Sequence, residues 1–125
     1  MRRERKKRLG KFGEDLARVF LEENGYQIID TNFSTRFGEI DIIAVSPENQ
    51  LVFCEVKTRM NLVSGFPEEC IHALKLLSMK HVAMSFLHRR GISPEESFRF
   101  DAITLMLFRA ESKAKLRHYK NIFST

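Results

Sequence analysis

Polar and apolar residues alternate twice between Arg36 and Arg59, in the runs Glu39–Val45 and Leu51–Lys57. Alternation with period two predicts strands, because successive side chains point to opposite faces. Between them Ser46-Pro47-Glu48-Asn49-Gln50 predicts a hairpin loop. In the first run Glu39, Asp41, Ile43 and Val45 share a face, and Ile40, Ile42 and Ala44 the other. In the second, Leu51, Phe53, Glu55 and Lys57 share a face, opposed by Val52, Cys54 and Val56.

The rest of the chain alternates helix and strand signals. Gly10–Asn24 predicts a helix with the stripe Phe12, Leu16, Val19 and Phe20, stopped by Gly25. Tyr26–Phe33 predicts a strand leading into the hairpin. A long helix is expected from Phe66 to Arg90, with Pro67, Glu68 and Glu69 in its first turn and His88-Arg89-Arg90-Gly91 at its end. Ile71, Leu74, Leu77, Val82, Phe86 and Leu87 give it a wide apolar surface. Phe98–Phe108 predicts a further strand, and Leu116–Phe123 a short last one. The fold class is α/β, a mixed sheet flanked by helices in the order α-β-β-β-α-β plus that short strand. The long helix is the right size for a parallel crossover between its flanking strands.

With 125 residues, the chain forms a single domain over 9–125, preceded by a basic, flexible arm over 1–8. Apolar residues make up 43%, enough for a packed core, and no apolar run is long enough to span a bilayer. The charged N-terminus does not resemble a secretory signal, and two cysteines make no disulfide framework, so the cytoplasm is expected. Cys54 falls on an apolar strand face and reads as a small core residue.

The net charge of +5 is uneven: residues 1–8 carry +5, residues 109–125 carry +4 and the centre carries −4. The arm is either a solvated tail or a polyanion contact. In the second case Arg2, Arg3, Arg5, Lys6, Lys7 and Arg8 meet phosphates, joined by Arg36 and Arg59 beside the hairpin.

Folding the hairpin about its loop sets Val45 against Leu51, Ile43 against Phe53, Asp41 against Glu55 and Glu39 against Lys57. Two carboxylates then share a face with Cβ atoms about 5 Å apart, a destabilising pairing unless a cation lies between them. Oxygen ligands at that spacing suit Mg²⁺ or Mn²⁺. The backbone carbonyl of Val56, between Glu55 and Lys57, is a third candidate ligand. Lys57 would stand beside the ion, able to position a water or stabilise charge on a phosphoryl group. Alternatively, these are exposed strand ends with Glu39–Lys57 as a surface ion pair. Glu14 lies in line with Ala17 and Leu21, serving either the helix N-terminus or the core side.

Other chemistries lack their residues. His72, His81, His88 and His118 include no i, i+4 pair and no cysteine at zinc spacing. There is no Walker loop, no dinucleotide-type glycine turn and no nucleophile elbow.

Gly38-Glu39-Ile40-Asp41 followed by Phe53-Cys54-Glu55-Val56-Lys57-Thr58-Arg59 resembles the PD-(D/E)XK, or restriction-endonuclease-like, superfamily. More closely, the chain resembles the bacterial YraN-like family of uncharacterised predicted endonucleases. Gly13-Glu14 with Ala17, Gly25-Tyr26, Asn32, the series Lys75, Met79, Ala83 and Leu87, and Arg99-Phe100-Asp101 extend the match over most of the chain. Cys54 and Met79 depart from the commoner Val and Leu. The resemblance implies Asp41 and Glu55 as metal ligands and Lys57 as the catalytic lysine. It further implies Glu14 as an accessory acid near the metal and Lys75 as a helix residue facing the site. The expected activity is Mg²⁺- or Mn²⁺-dependent hydrolysis of DNA, branched or single-stranded forms included. A nucleic-acid-binding module without cleavage, and a protein-interaction domain with a vestigial acidic pocket, are the rival readings. Cutting both strands of a duplex needs two active sites, which leaves room for a homodimer.

Overall fold

The computed structural model describes residues 2–60, 73–108 and 111–123. Its elements run α1 (Arg2–Glu23), β1 (Gln27–Thr35), β2 (Gly38–Val45), β3 (Leu51–Met60), α2 (Ala73–Arg90), β4 (Phe98–Phe108) and β5 (Lys113–Tyr119). The five strands form one sheet in sequence order. Only β3 and β4 pair in parallel, with α2 as their crossover; the other neighbours are antiparallel. This is the expected mixed sheet with helices on its faces.

The hairpin has the anticipated register, with Val45 opposite Leu51 and Ile43 opposite Phe53. Its loop closes through the Ser46 N–H, which donates to the Gln50 carbonyl at 2.8 Å, with Asn49 in the left-handed region. One face of the sheet packs Ile42, Ala44, Val52, Cys54, Ile103 and Leu105 against Ala17 and Leu21 of α1. The other packs Ile43, Phe53 and Phe100 against Met79, Val82, Ala83, Phe86 and Leu87 of α2.

Several boundaries differ from expectation. Helix α1 begins at Arg2, not Gly10, so the basic stretch expected as an arm forms its first turns. Arg and Lys are good helix formers, and a single glycine at 10 does not outweigh them. Residues 3–8 are nevertheless exposed, as a phosphate contact requires. The buried side of α1 is rotated from the expected stripe: Ala17 and Leu21 are fully buried and Leu16 and Phe20 pack beside them as expected, whereas Phe12 is 50% and Val19 45% exposed. The cause is Gly13, where a Cβ would collide with Thr58 Oγ1 of β3. Small residues at 13 and 17 let the helix backbone approach the sheet, and that approach decides which face turns inward.

Ile40 also departs from its expected face: it packs on the α2 side with Ile43, whereas Ile42 packs on the α1 side. The alternation of β2 slips between them, at Asp41. Opposite this point Asn32 has φ of 51°, a left-handed residue within β1. Leu77, assigned to the packing surface of the long helix, is 57% exposed. The final strand is Lys113–Tyr119, not Leu116–Phe123; Ile122 and Phe123 instead leave the sheet edge and pack on the α2-side core. The segment 66–72 of the expected long helix lies outside the described residues.

A second polar cluster braces the far end of the sheet. Asp101, fully buried, accepts hydrogen bonds from Arg99 Nε (2.9 Å) and the Asn121 N–H (2.9 Å), and lies 2.7 Å from His118 Nε2. Arg99 also donates to the Tyr26 hydroxyl (2.7 Å) and Gln50 Oε1 (3.1 Å). Burial alone would raise the Asp101 carboxyl, but the bonds from His118, Arg99 and the Asn121 amide outweigh it and hold it below the usual carboxylate range.

Candidate metal centre

The paired residues of β2 and β3 run only as far as Ile42 opposite Cys54. Beyond that point Asp41 substitutes a side chain for the ladder: its Oδ2 accepts the Val56 N–H at 2.7 Å. The strand order thus opens a gap between β2 and β3, flanked by Asp41 on one side and Glu55 on the other. Helix α1 supplies Glu14 to it and α2 supplies Lys75.

Carboxylate oxygens of Glu14, Glu39 and Asp41 lie within 4.8 Å of one another. Asn32 holds two of these acids: its side-chain amide donates to Glu14 Oε1 at 2.9 Å and to Glu39 Oε1 at 3.3 Å. Its left-handed backbone aims the amide there. Glu55 is 5% exposed, and its Oε1 meets Lys57 Nζ at 3.3 Å and Lys75 Nζ at 3.2 Å. Its Oε2 is buried with no hydrogen-bond partner. The other orphan of this kind among the described residues is Thr104 Oγ1, and Thr104 pairs with Lys57 in the β3–β4 ladder, on the same face.

Burial, then the charge of Glu55, with Glu14 and Glu39 adding to it, pushes the Asp41 carboxyl up to about 8 against the opposing bond from the Val56 N–H. An oxygen-only set with an orphaned buried oxygen and a carboxyl driven toward its neutral form fits a hard divalent cation. Glu14, Glu39 and Asp41 are close enough to share one, while Glu55, outside that group, adds its charge to Asp41 and its unpartnered oxygen.

Asp41, Glu55, Lys57, Glu14 and Lys75 therefore come together in one region. The expected Glu39–Lys57 pair does not form: Lys57 is taken by Glu55, and Glu39 turns to Asn32. Of the two arginines beside the hairpin, Arg36 lies over the Phe37 ring and Arg59 Nη1 donates to the Thr58 carbonyl. Asn32, Glu39 and Thr104 were not anticipated in this role. Asn32 offered one signal, an asparagine inside a strand pattern, where left-handed backbone is tolerated. Cys54 is buried, which with nearby acids raises its thiol, so it is no nucleophile. A groove of about 580 Å³ beside the β2–β3 loop carries none of these acids; among the described residues Glu96 is its one charged lining residue. Among the described residues no helix is long and apolar enough to cross a membrane.

The model of an uncharacterised protein family, UPF0102, matches residues 13–105. A UPF0102 protein of Alkaliphilus oremlandii is 39% identical over 118 residues, covering 94% of this chain and 98% of that protein. One from Caldicellulosiruptor bescii is 39% identical over 117 residues, at 94% and 98% coverage. One from Bifidobacterium longum is 36% identical over 118 residues, at 94% of both chains. The matched span contains every acid and both lysines of the centre, and the chain belongs to the UPF0102, or YraN-like, family.

Proposed function

We propose that this protein is a Mg²⁺- or Mn²⁺-dependent nuclease that hydrolyses phosphodiester bonds of DNA. The observation that carries the proposal is the buried, unpartnered Oε2 of Glu55, on a carboxylate whose other oxygen is held by two lysines. A buried orphan oxygen is costly unless something binds it, and the raised Asp41 carboxyl across the gap has the same need. Asp41 and Glu55 are the proposed ligands, with the Val56 carbonyl and Glu14 completing the set. Such an ion supplies a water of lowered pKa and charge compensation for the phosphoryl group.

The chain's own residues do the rest. Lys57, half-buried, presents its ammonium beside Glu55, where it orients a water and donates to the phosphoryl oxygens as negative charge builds on them. Lys75 holds Glu55 from the α2 side and fixes its rotamer. Asn32 sets the separation of Glu14 and Glu39. Water oxygen bonds to phosphorus and gives up a proton, the bond from phosphorus to the leaving deoxyribose oxygen breaks, and that oxygen takes up a proton. The exposed Arg3, Arg5, Lys6, Lys7 and Arg8 supply phosphate contacts away from the reacting atoms.

The test is incubation of purified protein with linear, nicked, branched and single-stranded DNA in Mn²⁺ or in EDTA. Cleavage should need the cation and disappear in Asp41→Ala. Cleavage that persists in this variant defeats the proposal. Salt-sensitive binding without cleavage under any cation favours a binding module of the same fold.

A further inference from the structure

The tip of the β1–β2 hairpin carries an aromatic stack beside the acids. Phe37, 42% exposed, stacks on His81 of α2 with centroids 4.5 Å apart and planes at 19°. Both rings are near solvent, and the Arg36 guanidinium lies 4.9 Å over the Phe37 ring. The stack is held in place by backbone: Ser78 Oγ donates to the Phe37 carbonyl at 2.6 Å, and Thr35 Oγ1 accepts the Phe37 N–H at 3.1 Å. Gly38, at φ of 142°, passes so close to α2 that a Cβ would meet Ser78 Oγ at 2.5 Å. An exposed phenylalanine in a core-forming role would be buried, and one in a mobile turn would not be pinned on both sides of its peptide. This ring is preorganised on the surface instead.

Its position relates it to the centre. Glu39, two residues on, belongs to the acid cluster, and Lys75, which holds Glu55, precedes His81 on α2 by about 9 Å of helix rise. We infer that the Phe37–His81 stack, capped by Arg36, is the docking platform for an unpaired base of a DNA strand whose phosphate enters the acid centre. The identity of the polymer rests on the nuclease reading above.

An aromatic face attracts any base, because every base has a π-face, but in a duplex those faces are covered by neighbouring pairs. A base without a partner is free to lie on the ring, so the platform selects single-stranded segments or ends over intact duplex. His81 and Arg36 both lie over the Phe37 ring, so a base docks by displacing the exposed Arg36 side chain, whose guanidinium would then be free for the adjoining phosphate. Lys80, exposed beside His81, offers a second cation for the backbone.

The test measures anisotropy of labelled oligonucleotides with the full chain in EDTA, so that binding is read without cleavage. The probes are a single-stranded thymidine oligomer, the same oligomer with abasic sites, and a duplex. The wild-type protein should prefer the thymidine oligomer over the abasic one, and Phe37→Ala should lose about 10- to 100-fold of that binding, the range of a base–aromatic stack. Phe37→Trp should retain it, and circular dichroism should show both variants folded. Equal binding of the thymidine and abasic oligomers, or Phe37→Ala binding like wild type, overturns the platform. Asp41-dependent cleavage alongside that result leaves the nuclease reading intact. Base-dependent binding lost in Phe37→Ala but without Mn²⁺-dependent cleavage upholds the platform and counts against the nuclease alone.

Discussion

Asp41 accepts the Val56 N–H at 2.7 Å where the backbone pairing of their two strands has ended. A side chain doing the work of a carbonyl keeps the strands tied while they part, and leaves its own charge in the opening. Asn at this position can still accept that bond through its amide oxygen but carries no charge. Asp41→Asn should therefore abolish cleavage while raising the thermal midpoint of the cation-free protein at pH 8, by a few degrees. Calorimetry in EDTA checks this, and a lowered midpoint would contradict the like-charge account.

The same carboxyl sets a pH dependence. Its folded value of about 8 lies above its ordinary 3.8, so the folded state binds the extra proton between those values. The cation-free protein should thus lose stability as pH rises from about 4 to 8, by on the order of a few kcal/mol. Mn²⁺ binds the deprotonated form, so its stabilising effect should grow over the same range. Urea unfolding at pH 5 and pH 8, with and without Mn²⁺, reads both slopes.

Asp101 carries the opposite sign. Held below the usual carboxylate range, it contributes stability that is complete above its ordinary 3.8 and is lost as pH falls through its lower folded value. Asp101→Asn leaves the Arg99 guanidinium buried against a neutral amide, which should cost about 3–5 kcal/mol and flatten the acid limb of the stability curve. Denaturant titrations at pH 3 and pH 7 test both statements.

Asn32 combines a left-handed backbone with two acid contacts, and two substitutions separate these roles. Asn32→Gly keeps the φ of 51° and loses the amide; Asn32→Ala loses both. Alanine should be less stable than glycine by about 1 kcal/mol, with cleavage reduced in both. Equal unfolding midpoints for the two variants would show that the backbone is not strained there.

Thr104 Oγ1 is buried without a partner beside Lys57. Thr104→Val removes an unsatisfied hydroxyl at nearly constant volume, and should raise the cation-free stability by about 1 kcal/mol. Thermal unfolding measures it directly. A loss of stability in this variant would mean that the hydroxyl has a partner in solution, such as a bridging water.

Much of the fold was written in local pattern. The hairpin register followed from the alternation of 39–45 and 51–57 and from the five polar residues between them, which that register leaves as the loop. Strand β4 and the helical crossover were equally legible. The helix face was legible only in part: Leu16 and Phe20 pack on the core as expected, but Phe12 and Val19 do not, because the close approach of Gly13 to Thr58 outweighs them, and that approach links residues 45 positions apart.

For the centre, the chain alone put Asp41, Glu55 and Lys57 on one expected face of the hairpin, but the backbone pairing ends at Ile42 and Cys54, short of the expected Asp41–Glu55 partnership. Tertiary structure decided what each one touches. The slip in β2 at Asp41, the left-handed Asn32 opposite it, and the arrival of Glu14 and Lys75 from different helices depend on packing between distant segments. Period-two reasoning assumes a regular strand, and here the strand is irregular where its acid meets the others.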